Sequence, residues 1–321
     1  MLCYFNGTVL INVLPTILMT EIVLGITGNG LALWIFCFHM RPWKSSTVLL
    51  FNLAVADFLL ILALPFRASY YISGIKWMFG DTLCKTCLFM LAMNRSGSTF
   101  FLMAIAADRF MRVVYPHHPI NTLSVFKATC GALVLWLVTI SMTVHVFNLA
   151  TNNTTYCESF MIDSEPHRNL NWHKFEFLLS FIIPLLVIFY CTVLIINHLR
   201  MSRLARHATI KKTLCFLSIV AVLFFVCFLP SNIMQVLIWI KTHKLASSPL
   251  VSEVCPALED LSNAFYITVS LTYLNSVLDP VVYYFSSPAF SRICRKILNL
   301  HQESITESTP REAASQSISQ L

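Results

Sequence analysis

Seven stretches of this chain are apolar enough, and at roughly 20 residues or more long enough, to cross a bilayer as helices. They lie at about 13–38, 47–71, 84–118, 126–148, 175–198, 210–240 and 258–285. Only 12% of the residues are charged and 57% are hydrophobic. A soluble domain carries about 25% charged residues. The first run is too long for a signal-peptide core, and no basic residue precedes it, so it reads as an uncleaved first span. Pro184, Pro230 and Pro280 fall inside spans. In a bundle they kink a helix rather than end it, because neighbouring helices and waters satisfy the freed carbonyls. The expected fold is all-α: a seven-transmembrane helix bundle over 13–300, an extracellular N-terminus at 1–12 and a disordered cytoplasmic tail at 301–321.

Lys and Arg in the connections set the orientation. Fourteen of them, from Arg41 and Lys44 to Arg295, Lys296 and Arg311, fall on one side; six (Lys76, Lys85, Arg168, Lys174, Lys241 and Lys244) fall on the other. The richer side is cytoplasmic, which puts the N-terminus outside. The net charge of +7 follows from this asymmetry, and no nucleic-acid partner is needed to explain it. The glycosylation sequons at Asn6, Asn152 and Asn153 then lie outside as well. Beyond the seventh run, Phe290, Ile293, Cys294, Ile297 and Leu298 share one helical face and Arg292, Arg295 and Lys296 the other. That pattern describes a short amphipathic helix lying on the inner leaflet. Cys294 on its apolar face is either a palmitoylation site or an unmodified buried thiol. The Ser- and Thr-rich tail is either a plain solvated segment or, once phosphorylated, a charge signal for a partner such as arrestin.

The third run carries two arginines, Arg95 and Arg109, 14 residues apart. Along a helix that is about 21 Å and close to four turns, so both leave nearly the same face. A charge at membrane depth is a functional-site candidate by default. Arg95 is placed to floor an outward-facing pocket, where a guanidinium takes a carboxylate bidentately. The alternative is an internal ion pair with Glu21 or Glu176. No structural metal cluster is evident. Cys84-Lys85-Thr86-Cys87 sits in a membrane helix, which argues against a redox or zinc role.

An ordered set of motifs recurs along the spans. Gly28-Asn29 lies in the first, Leu53-Ala54-Val55-Ala56-Asp57 in the second and Asp108-Arg109-Phe110 at the end of the third. Trp136 is in the fourth, Pro184 in the fifth, Cys227-Phe228-Leu229-Pro230 in the sixth and Asp279-Pro280-Val281-Val282-Tyr283 in the seventh. From about residue 13 to 300 the chain resembles a rhodopsin-like (class A) G-protein-coupled receptor. The stretches 51–60, 88–95 and 283–288 resemble the hydroxycarboxylic acid receptors, and 272–280 is equally similar to the related oxoeicosanoid receptor.

This resemblance implies a plasma-membrane receptor that binds a small carboxylic acid such as lactate or 3-hydroxybutyrate, couples to Gi/o and lowers cAMP. It implies ligand contacts from Arg95, Ser159, Phe160, Phe265 and Tyr273, with Arg67 either a second anionic contact or a rim charge that snorkels outward. It implies a disulfide between Cys84 and Cys157, and a second between Cys3 and Cys255. Asp108, Arg109 and Tyr283 would serve G-protein coupling. Asp57, Ser98, Asn275, Ser276 and Asp279 match the allosteric Na⁺ pocket of such receptors; the alternative is a protonated, hydrogen-bonded aspartate pair. Phe110 and Phe228 replace the usual Tyr and Trp, and Thr192 stands where many receptors place a Tyr that partners Tyr283. Two other functions fit parts of the pattern. One is an eicosanoid receptor; the other is a carboxylate transporter, which the missing internal repeat disfavours. An intramembrane hydrolase lacks its catalytic constellation.

Overall fold

The computed structural model describes residues 7–148, 156–158, 174–201, 208–246 and 254–307. It is a bundle of seven long helices and one further helix after them. They are α1 (Thr8–Trp34, ending in a π turn at Ile35–His39), α2 (Ser45–Ile72), α3 (Asp81–Val114) and α4 (Val125–Thr143, closing in a 3₁₀ turn at Val144–Asn148). Next come α5 (a π turn Leu178–Ile182 leading into Ile183–Met201), α6 (Ala208–Leu223, a π turn Phe224–Phe228, then Leu229–Ala246), α7 (Val254–Ser286) and α8 (Pro288–Glu307). α1 starts ahead of the expected 13, and the α8 backbone runs past the expected 300.

Six of these helices combine the length and hydropathy of a membrane span. α7, at 33 residues, is also long enough. Its mean hydropathy is lowered by Asn263, Thr268, Thr272, Asn275, Ser276 and Asp279 along its length. None of Pro184, Pro230 and Pro280 ends its helix. A π turn precedes Pro184 and another precedes Pro230, widening the helix where the amide is missing. α1 and α2 absorb Pro15 and Pro65 without breaking.

α3 lies at the centre, packed against α2, α4 and α5 and touching α6 and α7. The buried apolar side chains form two clusters. One holds Phe36, Leu53, Phe101, Phe224, Phe228 and Tyr283 toward the C-terminal end of α3; the other holds Leu14, Leu60, Tyr70, Trp77, Leu88 and Tyr266 toward its N-terminal end. Between them runs a seam of buried polar residues: Asn29, Asp57, Asn94, Ser98, Asn275, Ser276 and Asp279. α4 is tied in where Trp136 Nε1 donates to Asn52 Oδ1 at 2.8 Å and its ring meets Phe101 edge-on at 5.5 Å. α8 buries Phe290, half-buries Ile293, Cys294 and Ile297, and exposes Arg292, Arg295 and Lys296. Burial pushes the Cys294 thiol pKa up. The side chain of Leu298 lies outside the described set.

Gly28 explains one motif directly. A Cβ there would lie 2.8 Å from Pro280 Cγ, so its absence lets α1 approach α7 at the proline. Gly30, two residues on, has open space. Gly28→Val should therefore lower the thermal stability of the purified receptor by about 1–3 kcal/mol. Gly30→Ala should leave it unchanged or raise it by about 0.5–1 kcal/mol. Melting curves of the two variants side by side check this; equal melting would show that the contact does not matter.

Candidate functional site: one cavity and two charged centres

A cavity of about 90 Å³ opens among α2, α3, α5, α6 and α7. Arg95 lines it together with Leu88, Leu91, Asn232, Phe265 and Tyr273. Arg95 Nη2 donates to Asn232 Oδ1 at 3.1 Å. Among the described residues it has no ion pair. Glu176 is the carboxylate whose charge it feels most. Glu21, the other expected counter-ion, is buried on α1 with Oε2 making no hydrogen bond among the described residues. Neither internal pairing is realised, so a guanidinium with spare donors faces an enclosed space.

Arg67 also lines the cavity, and its situation is the opposite. It is 4% exposed, so it is not a rim charge. Nη2 meets Glu158 Oε2 at 2.8 Å and donates to Tyr71 Oη at 2.7 Å; Nη1 donates to the Cys157 carbonyl at 2.6 Å. The rings of Tyr70 and Tyr71 lie 5.2 and 5.1 Å from its guanidinium carbon. Glu158 is carried to this spot by the disulfide joining Cys157 to Cys84 at the top of α3. Deleting one partner of such a pair strands a buried charge, at a cost of about 3–5 kcal/mol.

Of the other expected contacts, Phe265 and Tyr273 line the cavity, and Tyr273 is close enough to sense both arginines. Ser159, Phe160, Cys3, Asn6, Asn152 and Asn153 lie outside the described residues, as does the side chain of Cys255. Sequence reasoning missed Glu158, Asn232 and Tyr266. The Tyr266 hydroxyl is buried against the cavity without a hydrogen bond among the described residues. An acid next to the loop cysteine was a usable signal for Glu158; nothing singled out the other two.

The polar seam brings Asp57, Ser98, Asn275, Ser276 and Asp279 together, and adds Asn94, also missed. The Asn94 amide nitrogen lies 3.2–3.3 Å from the Ala56 carbonyl, Asp57 Oδ1, Ser98 Oγ and Ser276 Oγ. Asn275 Nδ2 donates to Asp279 Oδ2 at 3.0 Å, while Asn275 Oδ1 and Asp279 Oδ1 are buried without a hydrogen bond among the described residues. A set of hydroxyl, amide and carboxylate oxygens, two of them unsatisfied, fits a hard cation. Tyr283 belongs to this seam as well. It donates to Asp57 Oδ2 at 2.8 Å.

At the C-terminal end of α3, Asp108 does not hold Arg109 tightly. Arg112 Nε reaches both carboxylate oxygens, at 3.0 and 2.9 Å, and its Nη2 donates to Ser45 Oγ at 3.0 Å. Arg109 stands 3.7 Å from Asp108, with Nε buried and unbonded among the described residues. Thr192 bonds its own helix, at the Ile188 carbonyl, and offers Tyr283 no partner.

The model of the 7 transmembrane receptor (rhodopsin family) matches residues 28–283. The chain belongs to that family. Human hydroxycarboxylic acid receptor 2 is 44% identical over 301 residues, which cover 92% of this chain and 80% of that protein. Human hydroxycarboxylic acid receptor 1 is also 44% identical, over 300 residues covering 92% and 83%. Human oxoeicosanoid receptor 1 is 40% identical over 291 residues, covering 89% and 72%. The chain is thus a multi-pass plasma-membrane receptor, with a small-molecule ligand and a G-protein partner. It is not an enzyme, and the family sets the transporter reading aside.

Removing Arg112 would return the whole Asp108 carboxylate to Arg109. Arg112→Gln should lower ligand-free G-protein activation, by up to about 1 kcal/mol of bias toward the resting state, or roughly fivefold. Nucleotide exchange on purified G protein without agonist measures it; unchanged or higher basal exchange would count against the loose-clamp reading.

Proposed function

We propose that this receptor senses a small extracellular carboxylic acid and signals through Gi/o to lower cAMP. Arg95 carries the reading: a half-buried guanidinium with spare donors and no ion pair among the described residues, facing a cavity of about 90 Å³. Low local dielectric strengthens its bond to an incoming carboxylate, and the planar fork orients it. The volume sits well below the roughly 300 Å³ at which drug-sized pockets begin. It suits an acid of a few carbons better than the long chain of an eicosanoid. Relatives named for hydroxycarboxylic acids support the same class. The N-terminus lies outside by the distribution of Lys and Arg, so the cavity opens to the extracellular side.

Bound acid favours one of two pre-existing arrangements of the bundle, and the shift reaches the cytoplasmic face as an outward movement of α6. The seam offers a second control point. Asp57, Ser98, Asn275, Ser276 and Asp279 would hold Na⁺ and so favour the resting arrangement, with Asn94 turning its amide to accommodate the ion.

Two measurements test this. In cells at matched surface expression, Arg95→Ala should lose at least about 100-fold in potency for short hydroxy acids in a pertussis-toxin-sensitive cAMP assay. Glu176→Gln should gain potency, because one negative charge facing Arg95 is removed. An Arg95→Ala response equal to wild type would sink the anchor. Replacing Na⁺ with an organic cation should raise agonist affinity about fivefold or more in wild type and leave Asp57→Asn unmoved. Equal behaviour of the two would remove the ion from the mechanism.

A further inference from the structure

Two arginines line one cavity, yet only one of them is paired with a carboxylate among the described residues. Arg67 meets Glu158, the Cys157 carbonyl and Tyr71. Arg95 has a single neutral partner, Asn232. The carboxylate whose charge acts most strongly on Arg67 is Glu158; on Arg95 it is Glu176. His145 also lines the cavity. Glu158 is 1% exposed and covalently positioned by the disulfide one residue away, so it cannot drift off Arg67 at little cost.

We infer that Glu158 is a built-in carboxylate that occupies the second arginine of the cavity and thereby makes the receptor selective for monocarboxylates over dicarboxylates. The inference rests on Arg95 being the ligand anchor. An acid with one carboxylate on Arg95 places its other end toward Tyr273, Phe265 and the Arg67–Glu158 pair. An apolar or hydroxyl end is tolerated there. A second carboxylate meets the Glu158 charge and an Arg67 whose own charge is already paired with it. With Glu158 neutral, the same cavity presents two available guanidiniums, the arrangement that recognises a diacid.

The test compares propionate, butyrate and pentanoate with malonate, succinate and glutarate. It reads cAMP suppression at matched surface expression and the melting temperature of the purified, detergent-solubilised receptor with each acid. Wild type should respond to the first series and refuse the second. Glu158→Gln should shift the diacid-to-monoacid potency ratio by about tenfold or more toward the diacids. Adding Arg67→Gln to it should abolish that gain and leave the monoacid response standing. An unchanged ratio in Glu158→Gln, a gain that survives without Arg67, or a wild type that accepts both series alike overturns the inference. If Glu158→Gln does not reach the surface, Arg67→Gln serves instead. Its uncovered Glu158 should weaken monoacids about tenfold, and the double variant should restore them; no weakening overturns the inference. Arg95→Gln separates the two claims: monoacid responses that survive it sink the anchor, whereas the ratio judges Glu158.

Discussion

A positive charge buried in a bilayer has to be neutralised from within the protein, and the way this bundle does so three times organises the rest of it. Arg67, Arg95 and Arg109 all sit on spanning helices, and each is satisfied to a different degree. Arg67 is the most fully paired, by a carboxylate at 2.8 Å and a carbonyl at 2.6 Å. Arg109 shares Asp108 with a better-placed competitor, Arg112. Arg95 has one amide oxygen. Desolvating an ion costs several kcal/mol that only good geometry returns. The least satisfied arginine is therefore the one that gains most from an external anion, and the most fully paired one holds the structure together.

The same logic governs the seam between the two apolar clusters. Asp57 and Asp279 face one another at full burial and cannot both carry an uncompensated charge at low dielectric. Asn94, Asn275, Ser98 and Ser276 surround them with dipoles, and Tyr283 donates into the group. α1, α2, α3 and α7 all contribute, so any change in proton or cation content there is felt by four helices at once. Tyr283 and Asn29 also tie the seam to the α1–α7 contact where Gly28 meets Pro280.

Much of this was legible in the sequence because it rests on period and composition. Run lengths gave seven helices, and their order carried the receptor resemblance. The 14-residue spacing of Arg95 and Arg109 put both on the central helix. Partner choice was not legible. Whether Arg95 would pair with Glu21 or Glu176, and whether Arg67 would snorkel, depends on where a loop carboxylate lands. Cys157 fixes that landing, and the consequence for Glu158 emerges only in three dimensions. Asn94 was passed over because an asparagine beside an arginine looks subordinate; one turn above Ser98, it turns out to be the donor that joins α3 to the α2 backbone and to α7. The resemblance assigned Asp108 and Arg109 to one coupling role, but residues four apart on a helix are neighbours, and Arg112 takes the Asp108 carboxylate.

In the proposed mechanism one side chain would link the cavity to movement of α6. Asn232 lies on α6 two residues past Pro230. Its Oδ1 accepts from Arg95, and its Nδ2 donates to the Phe228 carbonyl at 2.7 Å. Phe228 ends the π turn Phe224–Phe228, and its ring continues a column with Phe224 and Phe181 at spacings of 5.2 and 5.7 Å. Many receptors place an indole here, whose hydrogen-bonding edge can report on the pocket. A phenyl ring has no such edge. In this chain the polar message has to travel along the backbone: a carboxylate that takes up the Arg95 donors competes with Asn232, and Asn232 is bonded to the carbonyl at the point where α6 is already widened and lacks a proline amide. A helix bends most readily where its ladder is already broken. The loss of the tryptophan therefore leaves the coupling route intact and moves it from a side-chain rotamer to the hydrogen bonds of the α6 hinge.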